Sequence, residues 1–135
     1  MFEIYSKING GVIKRSTTNK LRFNVNSILE KITKKTKIIF IAQPNNPTGF
    51  YLSKSDLKYL ISKVPKKIMI IIDSAYSEYV TDKQYSDGIS FAKQYKNVIA
   101  TRTFSKIYGL ASLRLGWCYA NSEIIDLMNR VRGPF

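Results

Sequence analysis

The sequence predicts an α/β fold in which a mostly parallel β-sheet is sandwiched by helices. Short apolar runs rich in β-branched residues alternate with segments whose apolar residues recur at helical spacing. The apolar runs are nearly continuous, which is typical of strands buried on both faces of a parallel sheet. The chain has 135 residues, 44% of them hydrophobic, which fits one domain with a modest core.

Four runs are predicted to be strands, and each is short and apolar. They are KIIFIA (37–42), KIMIIID (67–73), NVIATR (97–102) and LRLGWCYA (113–120). Because all four lack the alternation of a half-exposed strand, we expect both of their faces to be covered.

Helices are predicted between and around these strands. Residues 2–9 form a first helix, closed by Gly10-Gly11, and residues 25–35 form a second. The clearest helix begins after Ser53, where Asp56 gives a signal close to a capping box, and it ends before Pro65. A further helix begins at Ser122. The apolar faces of the last two helices are Leu57, Leu60, Ile61 and Val64, and Ile124, Leu127, Met128 and Val131.

Composition excludes several classes of protein. The chain has no histidine, which rules out His-based triads and most zinc sites, and its one cysteine, Cys118, fits a reducing compartment. The net charge of +13 comes from 22 basic and 9 acidic residues, and the lysines are spread along the chain without a basic tail. No apolar run approaches the length of a membrane span, and the N-terminus has no signal core. We therefore predict a cytoplasmic protein that binds neither nucleic acid nor membrane.

Three polar loops each follow the carboxyl end of a predicted strand. They are QPNNPTG (43–49), DSAYSEY (73–79) and TFSK (103–106). Ligands of open α/β sheets bind outside the carboxyl ends of the strands. We therefore expect these three loops to converge on one crevice.

The third loop and the residues after it combine an amine with groups that bind an anion. Lys106 is a candidate to form a Schiff base with a carbonyl, which requires a partly desolvated site. Thr103 and Ser105 offer hydroxyls, Arg114 offers a bidentate fork for phosphate, and Gly109 permits close approach of the backbone. A solvated surface lysine is the alternative, and the neighbours favour an aldehyde cofactor that carries a phosphate.

The first two loops supply groups for a heterocyclic ring. Asp73 ends an apolar strand, so it either caps a loop or is a buried carboxylate that pairs with a protonated ring nitrogen. Tyr76 and the amide of Asn46 are candidates to bond a phenolic oxygen, although Asn45 fits the same spacing. A packing tyrosine and a plain connecting loop are the alternatives. Together with Lys106 this set meets the needs of pyridoxal phosphate, the ring of which serves as an electron sink.

The motifs PNNPTG, DSAYSEY and RTFSKIYGLASLRLGW, in this order, resemble the class I/II pyridoxal-phosphate aminotransferases of fold type I. SKIYGLASLRLGW (105–117) and NRVRGPF (129–135) are most similar to the bacterial histidinol-phosphate aminotransferases. The resemblance covers essentially the whole chain. It implies that Lys106 forms the Schiff base and moves a proton between the substrate α-carbon and cofactor C4′, that Asp73 pairs with the pyridinium nitrogen, and that Asn46 and Tyr76 bond the phenolic oxygen.

The resemblance also implies a phosphate site and a reaction. Thr103, Ser105 and Arg114 are expected to hold the cofactor phosphate. The reaction is expected to interconvert histidinol phosphate and 2-oxoglutarate with imidazole-acetol phosphate and glutamate, in histidine biosynthesis. Family likeness further implies a homodimer with active sites at the subunit interface.

The chain is shorter than members of that family. By the resemblance, residues 1–135 are part of the large, cofactor-binding domain, and an N-terminal segment and a small C-terminal domain are expected to lie outside them. We expect these 135 residues alone to have little or no activity, because much of the cofactor's enclosure is not among them. The open alternatives are a related aminotransferase, a threonine-phosphate-type decarboxylase, a basic binding module without catalysis, and a decayed gene product.

Overall fold

The computed structural model describes residues 2–18 and 20–133, so the last two residues of the NRVRGPF motif lie outside the described part. Its centre is a four-stranded sheet in the order β1-β2-β3-β4. The strands are β1 (Ile38–Ala42), β2 (Met69–Asp73), β3 (Val98–Thr103) and β4 (Gly116–Tyr119). The first three are parallel, and β4 is antiparallel to β3. The predicted α/β class and mostly parallel sheet are confirmed.

Helices connect and flank these strands. They are α1 (Phe2–Ile8), α2 (Val25–Glu30), α3 (Lys54–Lys63), α4 (Ile89–Gln94) and α5 (Ser122–Val131). Two short 3-10 turns, Ser77–Tyr79 and Ala111–Leu113, follow β2 and precede β4. α3 and α4 lie in the crossovers that parallel strands require. None of the helices in residues 2–18 and 20–133 is both long and apolar enough to cross a bilayer.

Local signals account for α3. The Ser53 hydroxyl accepts the backbone N–H of Asp56 at 3.1 Å and donates to the Asp56 carboxylate at 2.8 Å, so it caps the first turn. The predicted apolar face is buried: Leu57, Leu60, Ile61 and Val64 are at most 4% exposed. The helix ends at Lys63, two residues before Pro65, as predicted.

The core lies on one face of the sheet. Side chains that alternate along β2 and β3, namely Ile70, Ile72, Val98 and Ala100, are 0% exposed. They pack in one cluster with the apolar residues of α3 and with Phe91 of α4. The opposite face is less covered: the Phe2 ring of α1 stacks on Phe40 at 4.5 Å between centroids, yet Phe40 remains 37% exposed.

The segment 113–120 differs from its prediction. We expected a strand buried on both faces, but β4 begins only at Gly116 and most of its residues are exposed. Arg114 adopts a left-handed conformation, with φ of 52°, directly after a 3-10 turn, and this breaks the strand geometry. β4 is also one of the two edge strands of the sheet among the described residues, so its apolar residues have fewer neighbours.

Two further elements differ in extent or packing. The helix expected over 25–35 ends at Glu30, because Thr33 and Thr36 form turns in which their hydroxyls accept backbone N–H groups. α5 forms where it was predicted, but its apolar face is exposed, with Leu127 at 60% and Val131 at 85%. α4 was not predicted.

Candidate active site

The three polar loops leave the sheet at the same end, the carboxyl end of its parallel strands. Backbone hydrogen bonds tie their starting points together: Gln43 N–H donates to the Asp73 carbonyl at 2.9 Å, and Ser74 N–H donates to the Thr101 carbonyl at 3.1 Å. The carboxyl ends of β1, β2 and β3 are therefore neighbours. The predicted convergence of the loops 43–49, 73–79 and 103–106 follows from this parallel pairing.

A contact chain joins one residue from each of the three loops. The Asn46 amide donates to the Tyr76 hydroxyl oxygen at 3.0 Å. The Lys106 ammonium lies over the same tyrosine ring, 5.1 Å from its centroid. Asn45 instead donates its side-chain amide to the Thr48 hydroxyl at 2.8 Å. Of the two asparagines that spacing left open, Asn46 is the one beside Tyr76 in the structure.

Lys106 is exposed on the turn that follows β3. The turn closes through a hydrogen bond from Gly109 N–H to the Lys106 carbonyl at 2.9 Å, and Gly109 has a φ of +69° with open space where a Cβ would stand. A desolvated lysine was expected, and residues 2–18 and 20–133 do not enclose Lys106. The reason is its position at the tip of a surface turn, above which none of these residues pack.

The three residues expected to hold a phosphate are only partly assembled. Arg114 Nη1 lies 3.5 Å from the Ser105 hydroxyl, and it also donates to the Ala111 carbonyl at 2.7 Å. The Thr103 hydroxyl accepts the backbone N–H of Ser105 at 3.1 Å and donates to the Leu115 carbonyl at 3.4 Å. Ser105 and Arg114 are therefore brought together, while Thr103 shapes the loop that carries Ser105.

Asp73 is the last residue of β2 and is half-buried. The Thr101 hydroxyl of the neighbouring strand donates to its Oδ1 at 3.2 Å. Asp73 and Thr101 are register partners, so their side chains leave the sheet on the same face. Thr101 was not among the predicted site residues. The alternation of side chains along β3 indicates only that Thr101 and Arg102 lie on opposite faces of the sheet, and not that Thr101 pairs with Asp73.

An ion-pair cluster next to these loops was also not predicted. Arg102 donates to Glu78 Oε1 and to Asp87 Oδ2, both at 2.6 Å, with side chains 14%, 15% and 30% exposed. Its guanidinium lies 5.6 Å from the centroid of the Trp117 ring. Because Glu78 is two residues after Tyr76, this cluster fixes the loop that carries Asp73 and Tyr76 to β3.

The electrostatics of this cluster favour its ionised form. Burial acts to raise the pKa of Glu78, but the hydrogen bond and charge of Arg102 outweigh it and hold the pKa below its usual value. Burial likewise acts to lower the pKa of Arg102, and the Glu78 carboxylate with the charge of Asp87 raises it instead. Both partners therefore stay charged at neutral pH.

The chain is similar to known proteins in sequence and in fold. The family model "Aminotransferase class I and II" matches residues 1–135. The chain is 46% identical to the histidinol-phosphate aminotransferase of Pelagibacter ubique (strain HTCC1062) over all of this chain and 38% of the relative. The crystal structure of the histidinol-phosphate aminotransferase from Clostridium acetobutylicum matches with a TM-score of 0.88 and 26% identity, over 98% of this chain and 40% of that one.

A second solved structure shares the fold. The histidinol-phosphate aminotransferase of Sinorhizobium meliloti, solved in complex with pyridoxal-5'-phosphate, matches with a TM-score of 0.90 and 23% identity, over 98% of this chain and 36% of that one. The chain thus spans well under half the length of these proteins. Because the family model covers the entire chain, the chain belongs to the class I and II aminotransferase family.

Proposed function

We propose that this chain is part of the large, cofactor-binding domain of a pyridoxal-phosphate-dependent aminotransferase. The proposed reaction transfers the amino group of histidinol phosphate to 2-oxoglutarate, which gives imidazole-acetol phosphate and glutamate for histidine biosynthesis. Family membership and the similarity to proteins named histidinol-phosphate aminotransferase support it. The observation that carries the proposal is the contact chain from Asn46 through Tyr76 to Lys106 at the carboxyl edge of the sheet.

The residues at this edge fit pyridoxal phosphate by their chemistry. The Tyr76 hydroxyl accepts from Asn46, so its own hydrogen is free to donate, and the Asn46 amide keeps a second N–H. These two donors suit the phenolic oxygen of the cofactor. Asp73 has one oxygen bonded to Thr101, and its second oxygen can accept a hydrogen bond from the protonated pyridine nitrogen.

The phosphate of the cofactor is assigned to the turn after β3. Arg114 and the Ser105 hydroxyl offer cationic and neutral donors 3.5 Å apart. Thr103 positions the Ser105 backbone, and its hydroxyl is the third proposed phosphate contact. The open space beside Gly109 leaves the backbone accessible to the anion.

When bound, pyridoxal phosphate supplies an electron sink for negative charge at the substrate α-carbon. Lys106 is the residue of this set with an amine that can bind a carbonyl, and we assign it to hold and move the proton at the α-carbon. Asp73 keeps the ring nitrogen protonated, because an adjacent carboxylate favours the cationic form. Tyr76 and Asn46 orient the ring through its oxygen.

A substrate assay of the intact protein tests the proposed reaction. With histidinol phosphate and 2-oxoglutarate we expect glutamate to form, and Lys106→Ala is expected to abolish it. The exposed lysine variant Lys93→Ala is the matched control and should retain activity. Release of carbon dioxide from threonine phosphate, without glutamate formation, would instead identify the decarboxylase alternative.

The chain alone is proposed to lack activity. Lys106 is exposed here, and charge stabilisation needs a site from which water is excluded. We therefore expect the isolated 135 residues to show little or no amino transfer. Turnover by the isolated chain that disappears in Lys106→Ala would refute this part of the proposal.

We also propose that the intact protein is a cytoplasmic homodimer. Large apolar side chains are exposed around β4, including Leu113 at 56% and Trp117 at 42%, and such surfaces are usually covered in an assembly. Sedimentation analysis of the intact protein at micromolar concentration tests this. A strictly monomeric active enzyme would contradict it.

A basic module that binds nucleic acid remains the rival from another class. It accounts for the +13 charge but not for the contacts among Asn46, Tyr76 and Lys106. We expect only weak, generic association with DNA. A steep dependence of log affinity on log salt, of the kind shown by proteins with many phosphate contacts, would favour the rival.

A further inference from the structure

Thr101 lies between Asp73 and Cys118 in a row of residues that pair across β2, β3 and β4, on the face of the sheet that carries the Asp73 side chain. Asp73 of β2 pairs with Thr101 of β3, and Thr101 pairs with Cys118 of β4. The Thr101 hydroxyl donates to Asp73 Oδ1 at 3.2 Å. Among the residues that the structure describes, it is the one side chain that hydrogen-bonds the Asp73 carboxylate.

From this contact we infer that Thr101 is a positioning residue for the cofactor ring: its hydroxyl fixes the Asp73 carboxylate in the orientation that meets the pyridine nitrogen. The inference rests on the proposed function, since it assigns the ring nitrogen to Asp73. A carboxylate at the end of a strand exchanges among several side-chain rotamers unless a partner holds it in one of them. Binding the cofactor would otherwise have to restrict that rotation, which costs affinity.

The properties of threonine suit this task. Its β-branched side chain has few χ1 rotamers in a strand, so the hydroxyl is already directed when the carboxylate meets it. The hydroxyl has one hydrogen to donate and occupies one carboxylate oxygen, which leaves Oδ2 for the ring nitrogen. Hydrogen bonds to charged groups are stronger than those between neutral groups.

The next residue in the row does not disturb this arrangement. Cys118 lies beyond Thr101 from Asp73 and is half-buried. Burial raises the pKa of its thiol, so the group stays neutral at physiological pH. The charge in the row Asp73–Thr101–Cys118 therefore rests on Asp73 alone.

The test measures the affinity of the intact apoprotein for pyridoxal phosphate by absorbance titration. Thr101→Val removes the hydroxyl at nearly constant volume and is expected to weaken binding about tenfold, which corresponds to about 1.4 kcal/mol. Thr101→Ser keeps the hydroxyl and is expected to stay within about twofold of the parent. The thermal midpoint of the apoprotein should not fall in the valine variant, because valine suits a half-buried strand position.

A double-mutant cycle separates a role through Asp73 from a general packing role. In an Asp73→Asn background, Thr101→Val should change the affinity by less than about twofold, because the carboxylate that the hydroxyl positions is gone. Thr101→Ala removes the same hydroxyl without a new methyl group and gives the same comparison if the valine variant does not fold.

Two results would overturn the inference alone. One is unchanged affinity in Thr101→Val while the parent binds pyridoxal phosphate, which leaves the proposed function intact. The other is an equal loss in the Asp73→Asn background, which would make Thr101 a packing residue. A parent protein that binds no pyridoxal phosphate at all would overturn this inference together with the proposed function.

Discussion

Removing the Arg102 side-chain charge should destabilise the fold strongly, because Arg102 compensates the charges of two carboxylates. Arg102 contacts Glu78 and Asp87 at 2.6 Å each, and Arg102 and Glu78 are about 85% buried, being 14% and 15% exposed. The proposed change is Arg102→Met, which keeps an apolar stem beside Trp117 while it removes the guanidinium.

The expected magnitude follows from the burial of the partners. Removing one member of a buried ion pair costs about 3–5 kcal/mol, since the remaining charge is left without compensation. Asp87 is 30% exposed and stays partly hydrated, so we expect the lower end of this range, about 3 kcal/mol at neutral pH. A chain of this size loses about 1–3 kcal/mol of stability per molar urea, so the unfolding midpoint should fall by about 1 M or more.

The effect should depend on pH in a defined direction. Burial acts to raise the pKa of Glu78, and Arg102 outweighs this and lowers it. A carboxyl with a depressed folded-state pKa contributes stability above its unfolded pKa of about 4.3, and this contribution is lost as the pH falls through the folded value. The difference between parent and variant should therefore be largest at neutral pH and shrink below about pH 4.3.

The assay is urea unfolding of the chain, followed by the fluorescence of Trp117, its one tryptophan. Arg130→Met, at an exposed arginine of α5, is the matched control and should leave the midpoint nearly unchanged. A midpoint in Arg102→Met that equals the parent's, or a destabilisation that is the same at neutral and acidic pH, would refute the reasoning about the ion cluster.

Two further predictions concern packing and a buried hydroxyl. Gly88→Ala should lower the free energy of unfolding by about 2–4 kcal/mol, because φ is +84° and a Cβ would stand 2.8 Å from Ile72 Cδ1. Gly49→Ala is the control: with φ of +71° and open space around the Cβ, it should cost only about 1 kcal/mol in the same urea unfolding assay. Equal costs in the two variants would contradict the steric argument. Burial raises the pKa of Tyr85 to about 12, so stability should be fully present below about pH 10 and fall as the pH rises toward that value. A spectrophotometric titration should show a late-ionising tyrosine that disappears in Tyr85→Phe, and a parent without one would contradict the assignment.

The parts of the fold that follow from local signals were predictable. The capping serine, the buried apolar face and the following proline of α3 all act within a dozen residues, and the helix forms where these signals place it. The strands of the parallel sheet were predictable for a similar reason, since nearly continuous apolar runs suit few other environments. Their parallel pairing then placed the three loops at one edge.

Features set by long-range pairing were not predictable. The edge position of β4 depends on which strands neighbour it, so an apolar run alone could not indicate that Trp117 is 42% exposed. The partners of Asp73 and Glu78 depend on the register of β2 and β3 and on the path of the loops. Spacing along the chain carries no information on that register, and Thr101 and Arg102 were therefore missed.

Reductive trapping tests the central claim, the assignment of Lys106, most directly. The intact protein is loaded with pyridoxal phosphate, reduced with borohydride and digested with trypsin. Cleavage follows Arg102 and Arg114, and a modified Lys106 resists cleavage, so the label should appear on the uncut peptide of residues 103–114. We expect the cofactor mass on that peptide in the parent, and the same uncut peptide without the cofactor mass in Lys106→Ala. A label on another lysine peptide, with 103–106 and 107–114 recovered separately, would contradict it.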